Sequence, residues 1–209
     1  MPEITPLIMA EHRTFESDDS PALAAPEGIT VSTVKKPGRW LHQLYQDKLL
    51  KAEPVYFGDY YPRPWQEPEQ TRFIDSLIKG MPVQSLCLGC DINTGRHIVI
   101  DGQQRVFSVI RFLSGGNWTL AGANDIDPRI AGQKAPAFKD KKNPLHALYR
   151  HVESYKFTVT VIKYNPADKA HMDYLFTVFY RLNTGGVRLN NQEMRCCLYR
   201  GRQPELDGD

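Results

Sequence analysis

The 209-residue chain balances 26 Lys and Arg against 24 Asp and Glu for a net charge of +2, with 41% hydrophobic and 24% charged residues. That composition excludes a collagenous or wholly disordered chain and leaves room for one domain with a core and a helical annex. It singles out neither nucleic acid nor an acidic partner, so local clusters matter more than the total.

No apolar run approaches a membrane span, and Met1-Pro2-Glu3 opens no signal peptide, so a cytoplasmic protein without membrane association is expected. The four cysteines suit a reducing compartment. Cys87 and Cys90 have a redox or metal spacing, but they fall in an expected strand where positions three apart face opposite sides. No histidine stands at finger spacing from them, so buried structural thiols are the expected reading, for them and for the Cys196-Cys197 pair.

Residues 1–27 are rich in Pro, Ala, Ser and acids without periodicity and read as a flexible N-terminal arm. Residues 28–201 read as the domain and 202–209 as a tail. Gly28 to Thr33 alternates as a short strand, and Trp40, Leu41, Leu44, Tyr45 and Leu49 keep helical spacing through Leu50. The aromatic, proline-rich stretch from Val55 to Trp65 suits neither a helix nor a central strand. Within it Arg63 lies between two prolines on stiff extended backbone, presented to a ligand or simply solvated. Trp65 reads as core packing.

Glu67 to Lys79 predicts a helix with the stripe Phe73, Ile74, Leu77 and Ile78, ended at Gly80-Met81-Pro82. Val83 to Cys90 and Arg96 to Asp101 predict a β-hairpin around Asp91 to Gly95, and Gln103 to Leu113 predicts a helix. A Gly-, Asp-, Pro- and Lys-bearing segment then runs to about Asn143. Its Lys134, Lys139, Lys141 and Lys142 form a modest basic patch, expected to be solvated. Leu145 to His151 reads as a short helix, and Tyr155 to Tyr164 as a strand with Tyr155, Phe157, Val159 and Val161 on one face.

Ala167 to Leu182 predicts a helix striped by Met172, Leu175, Phe176, Phe179 and Tyr180, capped at Asn183-Thr184-Gly185-Gly186. A second helix from Leu189 carries a capping-box spacing from Asn190 to Glu193, which completes a helical hairpin.

The chemistry-bearing stretch is Ile98-Val99-Ile100-Asp101-Gly102-Gln103-Gln104-Arg105. An acid, a glycine, two amides and an arginine stand at a strand-to-helix corner, the end of a sheet where open α/β folds keep ligands. Gly102 lets backbone approach a ligand, and the helix's free N–H groups favour an anion. The plain alternative is a polar turn in which Asp101 caps the helix.

Three separated pieces together resemble one family, the N-terminal domain of the GmrSD-type restriction endonucleases, related in fold to the ParB/sulfiredoxin group. The first is Ile100 to Arg105 with its following helix. The second is Phe179-Tyr180-Arg181-Leu182-Asn183-Thr184-Gly185-Gly186-Val187-Arg188-Leu189 running into Gln192-Glu193-Met194-Arg195. The third is Arg63-Pro64-Trp65 with Phe73 to Leu77 and Gly80 to Pro82. Order and spacing agree from about Gly28 to Gly201. Pro62 departs from the glutamine the family typically has before that arginine.

The resemblance implies an α+β fold, a small mixed sheet with packed helices plus a C-terminal helical hairpin. It also implies a domain that binds and hydrolyses nucleoside triphosphate with Mg²⁺ and controls action on modified foreign DNA. A His-rich nuclease site, which the family's restriction enzymes carry separately, is not recognisable here, so a nuclease domain or subunit is an implied partner. In that scheme Asp101 holds the metal or positions water, Gln103 and Gln104 orient phosphate oxygens or water, and Arg105 neutralises developing charge. Gly102, Arg63, Arg181 and Asn183 are the expected nucleotide contacts. Two other readings compete: a non-catalytic ParB-like DNA-binding module, whose arginines meet phosphodiester backbone, and an interaction protein that keeps the fold without the chemistry.

Overall fold

A computed structural model describes residues 25–51 and 65–183 of the protein. In chain order it holds β1 (Thr30–Pro37), α1 (Gly38–Gln46), β2 (Leu50–Lys51), α2 (Glu67–Ile78), β3 (Leu86–Asp91) and β4 (His97–Asp101). There follow α3 (Gln103–Ser114), α4 (Ala135–Lys139), α5 (His146–Ser154), β5 (Lys156–Tyr164) and α6 (Lys169–Asn183). The strands form one mixed sheet in the order β1-β5-β3-β4-β2. The β3–β4 and β1–β5 pairs are antiparallel, while β3–β5 and β2–β4 are parallel. The expected small mixed α+β sheet with packed helices is therefore what the chain builds.

Alternation along the strands divides the core in two. Leu86, Leu88, Val99, Phe157, Val159 and Val161 point to one face, where α1 to α5 cover them. Cys87, Ile100, Ile162 and Tyr164 point to the other, where Leu175 of α6 joins them with Met172, Val178 and Phe179 packed around. Burying each such Leu, Ile or Phe is worth roughly 1.5–3 kcal/mol, so both layers hold the sheet. Cys87 and Cys90 belong to opposite layers, as their spacing predicts, and both are free thiols.

Three local expectations are corrected. The helix foreseen through Leu50 stops at Gln46, because Lys48 adopts a left-handed backbone (φ 57°). The Leu49 N–H then closes onto the Leu44 carbonyl at 2.8 Å. The chain can thus turn into β2.

The strand at the start is longer than expected and lies at a sheet edge, reaching Pro37 because every residue of it pairs with β5. The Gly-, Asp-, Pro- and Lys-bearing segment after α3, for which no element was expected, holds α4 and buries Trp118, Leu120, Ile126, Ile130 and Phe138. It is pinned by a Thr119–Lys134 bridge and by Phe112, whose ring lies 5.2 Å from Phe138 and 6.4 Å from Trp118. Its lysines do stay exposed. The second helix of the expected hairpin, Cys196-Cys197, the first 24 residues and the tail lie outside the described residues.

Candidate functional site

The corner begins at the end of β4. A register shift between Cys87 and Leu88 bends the β3–β4 pair just where Cys87 lies opposite Asp101, the kind of irregularity that re-aims a strand's last side chain. Gly102 follows with φ 92° and ψ 22° as the residue before α3. A Cβ there would meet Leu86 Cδ2 at 2.5 Å and the Arg105 guanidinium at 3.2 Å, so glycine is demanded by both backbone and space. The Gly102 carbonyl accepts from the Val106 N–H at 2.9 Å, the first bond of α3. No side chain caps this helix, so Asp101 is not its cap.

Asp101 pairs instead with Arg105, one turn on. Arg105 Nη2 donates to Asp101 Oδ2 at 3.0 Å, and Nη1 donates to the Ser85 carbonyl at 2.9 Å. Arg105 is buried at 9% exposure, whereas the Asp101 side chain keeps 29%. The guanidinium is spent on the fold and orients the carboxylate. Gln104 is also tied in: its Oε1 accepts the Trp65 N–H at 3.0 Å, while its carbonyl accepts Ser108 Oγ–H at 2.7 Å. Trp65 packs toward the core, its ring 5.6 Å from Phe73. Gln103 differs, since its Nε2 is buried without a hydrogen-bond partner among the described residues.

Beside Asp101 lies Cys87, whose thiol is pushed up to about 11, by burial first and the Asp101 carboxylate second. α6 approaches from the same face. His171 near the start of α6 bonds the Glu27 carbonyl ahead of β1, and Leu175 lies over Gly89, within 3.1 Å of where its Cβ would stand. One turn further along, Phe179 reaches the layer that contains Cys87 and Ile100. Arg181 is exposed on α6 two residues beyond Phe179, and Asn183 is the last residue of that helix. Arg63 lies outside the described residues.

Ser85 and Cys87 were not foreseen as part of this corner. The four-residue spacing of Asp101 and Arg105 on a helix start is the signal that marks their pairing.

A separate cleft of about 1050 Å³ lies at the opposite end of β4, between the end of α1, β2 and the solvent side of α3. Its lining includes Tyr45, Lys48, Lys51, Asp91, Arg96, Phe107 and Arg111. Arg111 is committed to Gln70 Oε1 at 2.7 Å and Glu67 Oε1 at 2.8 Å, with its guanidinium 4.7 Å above the Trp118 ring. No cluster of three or more His, Cys, Asp or Glu side chains able to hold a metal occurs among the described residues. No helix among them is long and apolar enough to cross a membrane.

The described residues thus form an α+β domain with an Asp-Gly-Gln-Gln-Arg corner where β4 passes into α3. The family model for the GmrSD restriction endonuclease N-terminal domain matches residues 43–200, three quarters of the chain, and the chain belongs to that family. No curated protein and no solved structure gives a match.

Proposed function

We propose that this domain binds a nucleoside triphosphate at the Asp101–Arg105 corner and acts as the nucleotide-responsive part of a DNA-restriction system, with cleavage carried by a separate nuclease domain or subunit. The observation that carries this reading is the donor set at the start of α3. Three first-turn N–H groups lack a side-chain cap, and Nε2 of Gln103, the first residue of the same helix, is buried without a partner among the described residues. Donors in that arrangement suit phosphate oxygens.

Asp101 alone next to phosphate would repel it, and the Arg105 ion pair offsets that charge. The carboxylate oxygen not bonded to Arg105 fits Mg²⁺ only as one ligand among phosphate oxygens and waters, which is how Mg²⁺ is commonly held. When bound, the ion would supply charge neutralisation at the phosphates. Asp101 then has two possible jobs in this scheme, holding that ion or orienting the attacking water, and Gln103 holds a phosphate oxygen. Arg105 is a positioning residue, and Arg181 adds positive charge from α6.

The test is nucleotide binding and phosphate release with Mg²⁺ across ATP, GTP, CTP and UTP, for the wild type, Asp101→Asn and Gln103→Ala. At least tenfold weaker binding in Gln103→Ala and loss of turnover in Asp101→Asn are expected. Unchanged affinity and turnover in both variants would overturn the assignment.

A further inference from the structure

We propose that the cleft at the β2 edge is a second site, for single-stranded nucleic acid, distinct from the Asp101 corner. Tyr45 and Phe107 are 46% and 44% exposed and are the two aromatics among the exposed large hydrophobic side chains of the described residues. Both line this one cleft. Large aromatic rings are costly to leave in water, and two facing the same hollow offer stacking surfaces of the kind that successive bases occupy.

The charge of the cleft complements a phosphodiester chain. Lys48, Lys51 and Arg96 are exposed and form no ion pair among the described residues. The acid in the lining, Asp91, is nearly buried and already engaged, with Oδ1 and Oδ2 accepting from the turn that follows it at 2.8 and 2.6 Å. Those bonds, together with the nearby Arg96 charge, hold its carboxyl below the usual range, so the lining carries one anion against the cations Lys48, Lys51 and Arg96. The result is a cationic hollow with two stacking faces.

The two sites do not overlap. His97 in the cleft and Asp101 at the corner are opposite ends of β4, about 13 Å apart at the ordinary rise of a strand. An acidic peptide would use the cations but gain little from two exposed rings. A duplex presents its bases stacked inside, out of reach of both. A single strand uses rings and cations together.

The test uses the full chain and a fluorescently labelled single-stranded 12-mer of dT, followed by anisotropy. Tyr45→Ala and Phe107→Ala should each weaken binding about fivefold to a hundredfold. Lys51→Gln should lower the slope of log affinity against log salt by about 0.7. Because both rings are exposed, thermal unfolding should be nearly unchanged, and triphosphate binding at the corner should be unaffected. Lack of oligonucleotide binding, equal binding of a blunt 12-base-pair duplex, or equally effective competition by poly-glutamate would each overturn the proposal. Loss of triphosphate binding in Gln103→Ala alone speaks only to the corner.

Discussion

Arg105 reaches back one helical turn to Asp101 and at the same time bonds the carbonyl of Ser85, so one guanidinium ties the end of β4, the start of α3 and the approach to β3 together. Replacing Arg105 by Ala strands a half-buried carboxylate and a backbone carbonyl. A loss of about 2–4 kcal/mol is expected, read as a lowered urea midpoint at unchanged slope. Arg105→Lys should recover only part, since an ammonium lacks the planar fork that serves two acceptors at once. Equal stability of wild type and Arg105→Ala would mean that the pair contributes nothing.

Gly102→Ala combines a left-handed backbone with a clash against Leu86 and the Arg105 guanidinium. Gly95 also has positive φ, at 70°, but nothing lies within 4 Å of its would-be Cβ. Gly95→Ala should therefore cost about 1 kcal/mol, the left-handed penalty alone, and Gly102→Ala clearly more. Paired thermal melts decide it, and equal shifts would show that the crowding relaxes freely.

The Cys87 thiol is neutral until about pH 11 because the sheet buries it beside Asp101. The unfolded chain releases that proton near pH 8.5–9, so the folded state holds more protons between about 9 and 11. Stability is thus fully present below pH 8.5 and falls as pH rises through that window. Cys87→Ser should remove this contribution to the slope. At pH 8, alkylation mapped by mass spectrometry should label the half-exposed Cys90 before Cys87. Preferential labelling of Cys87 would contradict its burial.

His171 links two distant parts of the chain. Its Nδ1 accepts the Asn165 N–H at 3.0 Å, which puts the proton on Nε2, and Nε2 donates to the Glu27 carbonyl at 2.8 Å. His171→Ala should remove the acceptor of the part-buried Asn165 N–H at a cost of about 1 kcal/mol. It should also speed hydrogen exchange at Ile29 and Val31. Exchange that is unchanged there would show that β1 is held by β5 alone.

Much of this fold is legible because its signals are local. Ile98-Val99-Ile100 before Asp101-Gly102, and Val106, Val109, Ile110 and Leu113 after it, mark a strand, a corner and a helix without reference to anything distant. The burial of Trp118 and Phe138 is not legible in that way, since an irregular segment has no period to reveal which side faces in. Nor is the end of α1, because nothing in the identity of Lys48 announces a left-handed backbone. At the corner, the residue types mark the candidate site, but which of them is spent on the fold depends on depth. Arg105 and the carbonyl of Ser85 meet only because β3 runs beside the start of α3, and that pairing is set by tertiary structure. The cleft likewise needs α1, β2 and α3 side by side before Tyr45 and Phe107 share a hollow.

The pairing of β1 with β5 has a consequence for how the domain comes into being. The edge strand leaves the ribosome well before its only neighbour among the described residues, with Thr30 paired opposite Lys163 across more than a hundred intervening residues. Until β5 emerges, β1 lacks the strand it pairs with and β3 lacks its parallel neighbour. The hairpin of β3 and β4 with α3 can form early, whereas closure of the sheet must wait for a contact of long sequence separation, the slow step in such topologies. During that interval the Thr- and Val-rich edge is open to the wrong strand, and the adjacent Lys35 and Lys36 are charges suited to discourage it.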